Sequence, residues 1–190
     1  MKEQYQKIWD LALPYLEKGI KKNFVVHTKC VIEAMELLLK EEGGNEEILI
    51  AAAISHDVAW SKVPRSIQVN WISKRDKIKG DRLHLEYAPS IIKKILKKVN
   101  YDSIQTKKVI EIVQAHKFQN PKELEKRLLI DADSMSDAFK EQFYSDAKSY
   151  GVTPKKLYEF RKQNKFYTKS AKRIFERELE SRRKEFQFKN

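Results

Sequence analysis

Residues 54–60 read ISHDVAW, and they close the apolar run ILIAAAI at 48–54, which contains no polar side chain. A helix that is apolar on every side belongs in a protein interior. An imidazole and a carboxylate at its end, His56 and Asp57, must then be paired, neutralised or bound to metal, because an unpaired buried charge is very costly. The rest of the chain has to supply the partners.

Outward from this stretch the apolar positions recur at helical spacing, and only five Gly and five Pro interrupt them. The pattern predicts helices over 3–19 with a bend at Pro14, over 24–40 with Asn23 as cap and Gly43-Gly44 as stop, and over 46–59. Further helices are expected over 84–98, 102–117, 121–149 (broken) and 154–186 (in two pieces), with start signals at Tyr101-Asp102-Ser103 and Asn120-Pro121. Residues 61–82 carry seven basic side chains, one Pro and one Gly. They read as a long loop enclosing a short helix, a kind of segment that often carries function. No strand pattern and no repeat is visible. The expected fold is all-α: a helical bundle over 1–150, and a basic helical extension over 151–190 packed on it or following it.

The 190 residues suffice to bury a core without staples. The single cysteine, Cys30, excludes an intramolecular disulfide and fits a reducing compartment. The N-terminal stretch is charged throughout and has no secretory apolar region, and no run approaches the ~18 residues of a membrane span. A cytoplasmic protein with no membrane partner is expected. The formal charge is +12, and residues 155–190 alone hold thirteen Lys and Arg against five Glu. Such a balance favours anionic ligands, including nucleic acid. Tyr158, Phe160, Phe166, Tyr167 and Phe175 are interleaved with these cations and offer stacking surfaces, although aromatics at helical spacing serve equally as packing.

Each of the four histidines falls on an apolar stripe. His27 goes with Phe24, Val31, Met35 and Leu38; His56 with Leu49, Ala52, Ala53 and Trp60. His84 leads Tyr87, Ala88, Ile91 and Ile95, and His116 extends Val109, Ile112 and Val113. LLIDADSMSDAF at 128–139 adds Asp131 and Asp133 within another apolar helix. One inward histidine is an ordinary core residue. Four on four different helices, together with inward carboxylates, are the way helical bundles build metal sites. Nitrogen and oxygen donors without thiolates suit Mn, Fe, Co, Ni or Zn.

In this ordered set the sequence resembles the HD-domain superfamily of metal-dependent phosphohydrolases. The matching residues are His27 in HTKCV, His56-Asp57 in ISHDVAW and Asp133 in IDADSM, with Asp131 as the alternative to the last. His84 in RLHLEYAPSIIKKIL and His116 in VIEIVQAHKF resemble the two additional histidines of a six-ligand subset, and the likeness covers roughly residues 20–140. Val-Ala-Trp follows the pair. Deoxynucleotide triphosphohydrolases have Gly-His there and alarmone hydrolases a Glu-Asp pair, and the Gly-Tyr-Pro motif of cyclic-di-GMP phosphodiesterases is absent.

The resemblance implies hydrolysis of a phosphate ester, of a nucleotide or another small phosphorylated substrate. His27, His56, Asp57 and Asp133 would hold one divalent ion, and His84 and His116 a second bridged by Asp57, with His56 and Asp57 central to catalysis. Lys62, Arg65, Lys74, Arg75 and Arg82 follow the pair and are expected to clamp phosphate oxygens. Trp60 and Trp71 could stack a base, Trp60 being also a natural core residue. Two alternatives remain: a non-haem di-iron oxygenase using the same six ligands, and a nucleic-acid-binding or regulatory HD protein working through its basic C-terminal region.

Overall fold

The computed structural model describes residues 2–19, 24–69 and 73–187, apart from the side chains of Val69 and Gln187. The expected cap Asn23 and the expected stacking residue Trp71 lie outside the described residues. Ten α-helices and one 3-10 turn make up the described fold, which contains no strand. No described helix is long and apolar enough to cross a membrane.

The hub is α3 (Glu46–Ser55). Every residue from Ile48 to Ser55 is buried. Asn45 caps it, its side chain accepting from Ile48 N at 3.2 Å. Around it pack α1 (Glu3–Leu16), α2 (Phe24–Glu42), α6 (Ser103–Ala115) and α7 (Leu124–Ser136). Asp102 caps α6 through the amides of Ile104 and Gln105 at 2.9 and 2.8 Å.

Two elements depart from the expected boundaries. The helix expected over 46–59 stops at Ser55, and a 3-10 turn over Val58–Lys62 follows. Asp57 sits between them at φ −108°, ψ 4°, and accepts a hydrogen bond from Trp60 Nε1 at 3.2 Å. The break turns the Asp57 carboxylate toward the same side as the His56 imidazole, which an unbroken helix would hold about 100° away.

The segment 61–82 is not a long loop. It contains α4 (Arg65–Val69) and the first turns of α5 (Lys74–Lys98), which Ser73 caps by accepting from Asp76 N at 3.4 Å. Gly80, the one glycine of the segment, lies inside α5, where a Cβ would come to 3.0 Å from the Trp60 ring. The close approach of the Trp60 ring to the α5 backbone outweighs the helix-propensity deficit of about 1 kcal/mol. In α5 the stripe of His84, Ala88, Ile91 and Ile95 is buried, whereas Tyr87, expected on it, is 36% exposed.

The broken helix over 121–149 is α7 and α8 (Lys140–Tyr150), and the C-terminal pair is α9 (Pro154–Arg161) and α10 (Lys169–Gln187). Ala171, Ile174, Phe175 and Leu179 of α10 belong to the main hydrophobic cluster. Phe166 and Phe175 pack with centroids 4.8 Å apart, so these aromatics serve as packing rather than as an open stacking surface. Several α10 cations are paired: Arg173 with Glu41 at 2.9 Å, Arg182 with Glu185 at 3.2 Å and Arg183 with Glu180 at 2.5 Å.

Candidate metal centre

His27 on α2, the His56-Asp57 pair after α3, His84 on α5, His116 at the end of α6 and Asp133 on α7 converge from five places in the chain. The donor atoms fall into two overlapping triads, His27/His56/Asp57 and Asp57/His84/His116, each within 4.8 Å. In the first, His27 Nε2 lies 3.2 Å from His56 Nε2 and 3.5 Å from Asp57 Oδ2, and His56 Nε2 lies 3.4 Å from the same oxygen. Asp133 Oδ1 is 3.2 Å from His27 Nε2. Ligands bound at about 2.0–2.2 Å to one tetrahedral ion stand roughly 3–3.5 Å apart. In the second triad His84 Nε2 is 3.9 Å from Asp57 Oδ1, and the His84 and His116 rings are 5.0 Å apart.

Hydrogen bonding supports the fit to metal. His56 Nδ1 and His116 Nδ1 donate to the carbonyls of Ala53 and Val113, which turns each Nε2 lone pair into the site. Ser136 Oγ lies 3.4 Å from His27 Nδ1. Both nitrogens of His84 and Nε2 of His116 are buried without a hydrogen-bond partner. Orphaned buried polar atoms are uncommon, and a bound ion would satisfy His84 and His116 together.

The charges divide unevenly: three imidazoles are in the neutral form a ligand needs, and without an ion His27 holds a proton that metal binding would displace. Burial lowers the pKa values of His56, His84 (to about 4) and His116 (well below its usual value), so these imidazoles are neutral. Burial acts the same way on His27, but Asp133 and then Asp57 outweigh it and raise its pKa to about 9. Burial would raise the Asp57 carboxyl, yet the surrounding His56, His27 and His84 bring it down to about 2. Asp133 is likewise held well below the carboxylate range against its burial, by Lys117 and His27.

Asp131 takes another part. It accepts from Tyr167 N and Thr168 N at 2.8 Å each and from Thr168 Oγ1 at 2.7 Å, anchoring the start of α10 to α7. Asp133, a little over half a turn further on, is the carboxylate that joins the cluster.

The centre lies in a cleft of about 710 Å³. Lys62, Arg65, Lys74, Arg75 and Arg82 are exposed, and none of them lines it. Because the segment is helical, its buried positions belong to Gly80, Asp81 and His84, and these five cations fall on its other faces. The cations that do line the cleft are Lys77, Lys117, Lys156, Arg161 and Lys165. Trp60 is 2% exposed, wedged between Phe24 and His84 at centroid distances of 5.8 and 5.1 Å.

Sequence reasoning missed Lys117, whose Nζ lies 2.5 Å from Asp133 Oδ2. Burial works against its charge, but Asp133 and Asp57 outweigh burial and raise its pKa. Its adjacency to His116 was the available signal. Asp81, one turn before His84 on the inward face, was missed too; it lines the cleft, and burial raises its carboxyl.

The sequence profile of the HD domain family matches residues 24–138, and the chain belongs to that family. The fold is similar to the crystal structure of a protein described as a predicted HD superfamily hydrolase from an uncultured Thermotogales bacterium. The TM-score is 0.63 at 17% identity, over 96% of this chain and 88% of that one. Comparison with curated proteins finds no match.

Proposed function

We propose that the protein is a metal-dependent phosphohydrolase that cleaves an ester bond of a small phosphorylated substrate. The observation that carries this reading is the pair of His/Asp triads sharing Asp57, with His27, Asp57 and Asp133 opening onto a cleft that cations also line. His27, His56, Asp57 and Asp133 would hold one divalent ion, and Asp57, His84 and His116 a second, drawn from Mn, Fe, Co, Ni or Zn. Such ions supply Lewis acidity toward phosphoryl oxygens and lower the pKa of water.

The remaining work falls to the chain itself. Lys117, cationic and only 29% exposed at its side chain, binds a non-bridging phosphoryl oxygen. Asp133 fixes the ammonium that does so. Asp81 lines the same cleft, and burial raises its carboxyl, the direction that general-acid work on a leaving oxygen calls for. Trp60 holds the Asp57 carboxylate through its indole N–H, so both of its oxygens keep their orientation toward the two triads.

The test is elemental analysis of protein purified without chelator, followed by phosphate release from a panel of phosphomonoesters and diesters, with Asp57→Ala beside it. About two transition-metal ions per chain and turnover, both lost in the variant, are expected. Bound iron with substrate-dependent O₂ consumption and no phosphate release would replace this reading with the oxygenase one.

A further inference from the structure

Half of the described residues that line the cleft lie between Gln142 and Lys165, beyond the 24–138 region that matches the HD family. A volume of about 710 Å³ suits a drug-sized molecule rather than a bare phosphate group. The outer wall is held firmly. Arg161 forks onto Asp137 at 2.6 Å and Asp146 at 2.5 Å, and Asn164 Nδ2 donates to Ser134 O at 3.2 Å and to Asp137 Oδ2 at 2.9 Å. Ser134 and Asp137 lie within about a turn of Asp133 on α7 and at its C-cap. The wall therefore keeps a fixed position relative to a candidate metal ligand.

Two buried polar atoms of this wall have no hydrogen-bond partner: Gln142 Oε1, an acceptor, and Arg161 Nε, a donor. The two residues are 3% and 9% exposed. Atoms this enclosed are out of reach of a molecule in the cleft, so the wall meets a ligand through its exposed side chains. Phe160 also lines the cleft, yet it is 61% exposed. The Arg161 guanidinium lies 5.9 Å from its ring centroid, and the remaining ring surface is open. Lys156 and Lys165 line the same cleft, exposed and without an ion partner among the described residues.

We infer that α8, α9 and the segment to Lys165 form the substrate-selecting subsite, receiving the non-reacting half of the ester as a flat ring of the nucleoside kind laid on Phe160. This rests on the phosphohydrolase reading for the reaction but not for the binding. Phe160 meets the face of the ring, and the two lysines any further phosphates. Stacking on an aromatic side chain tolerates any base, so the subsite selects for the presence of a base more than for its identity.

The experiment compares kcat/KM of the metal-loaded full chain for a nucleoside 5′-monophosphate and for ribose 5-phosphate, which lacks only the base. A preference of about tenfold or more for the nucleotide is expected, from the usual strength of one base–aromatic stack. Phe160→Ala should cut that preference about tenfold, through KM, and Phe160→Trp should restore it. Because Phe160 is exposed, both variants should keep their helix content by circular dichroism. Equal kcat/KM for the two substrates, or a ratio untouched by Phe160→Ala, would overturn the subsite. If neither ester is turned over, calorimetric binding of the nucleoside monophosphate decides alone. Binding weakened about tenfold in Phe160→Ala then upholds the subsite; absent or unaltered binding overturns it.

Discussion

Kept in chelator, the protein should lose stability as the pH rises from 6.5 to 9, and His27 sets the amount. Its pKa is raised from 6.5 to about 9 by Asp133 and Asp57 against the effect of burial. A group with a raised folded-state pKa contributes stability that is complete below its unfolded value and is lost as the pH passes through the folded one. At 1.36 kcal/mol per unit, the loss is about 3 kcal/mol. For a chain of 190 residues this corresponds to a fall in Tm of roughly 6–12 °C. Comparison with His27→Gln isolates this residue from the rest of the cluster. The carboxyls of Asp57 and Asp133 are lowered, so their contributions are complete well below pH 6.5. His56, His84 and His116 have lowered values, so their cost appears as the unfolded imidazoles charge around and below their ordinary value of 6.5; its relief offsets part of the loss at the acid end of the window, in parent and variant alike. Burial pushes the Cys30 thiol up from 9.0 to about 12, so its own loss begins only near pH 9. The assay is thermal unfolding by circular dichroism at half-unit pH steps, with His27→Gln as control. A Tm that stays flat or rises across the window in the parent chain, or an identical slope in the variant, would refute the assignment of the proton to His27.

Lys117→Met should lower kcat/KM on the best phosphate ester about 10- to 100-fold while the helix content is kept, as steady-state kinetics would measure. Arg161→Ala strands the buried Asp137 and Asp146 and should cost about 3–5 kcal/mol in urea unfolding; a loss under 1 kcal/mol would contradict the buried network. Truncation after Gly151 strips Ala171, Ile174, Phe175 and Leu179 from the core and should leave the chain unable to melt cooperatively. A truncated chain with native Tm would show that α10 is dispensable. Asp131→Ala removes three hydrogen bonds to the start of α10 and should destabilise by about 2–4 kcal/mol with metal content unchanged.

The all-α class and the convergence of the histidines were legible because both depend on local periodicity. His27, His56, His84 and His116 each lie on a stripe whose apolar members are near in sequence, and a buried imidazole can be recognised from such company. The nature of segment 61–82 was not legible. Its composition argued for a loop, and only the approach of Gly80 to Trp60, twenty residues away, shows why α5 can run through it. The expected phosphate clamps Lys62, Arg65, Lys74, Arg75 and Arg82 failed for the same reason, since the helical register decides which cations face the cleft. Asp131 and Asp133 occupy equivalent apolar contexts in the sequence. They separate only when Tyr167 and Thr168, more than thirty residues on, claim the first of them. The wall around Arg161 is likewise assembled from residues distant in sequence, and no short-range pattern announces it.

The complete burial of α3 bears on how the centre can exchange its contents. His56 and Asp57 stand directly at the end of a helix with buried residues from Ile48 to Ser55, and that helix contacts α1, α2, α6 and α7. No partial opening can release those two residues without dismantling the core, because segments so enclosed unfold only with the whole domain. The amides of Ala52 through Ser55 should therefore exchange with deuterium at the global rate. Ions would reach and leave Asp57 by way of the cleft, so their lifetimes should follow occupancy of the cleft rather than breathing of the fold.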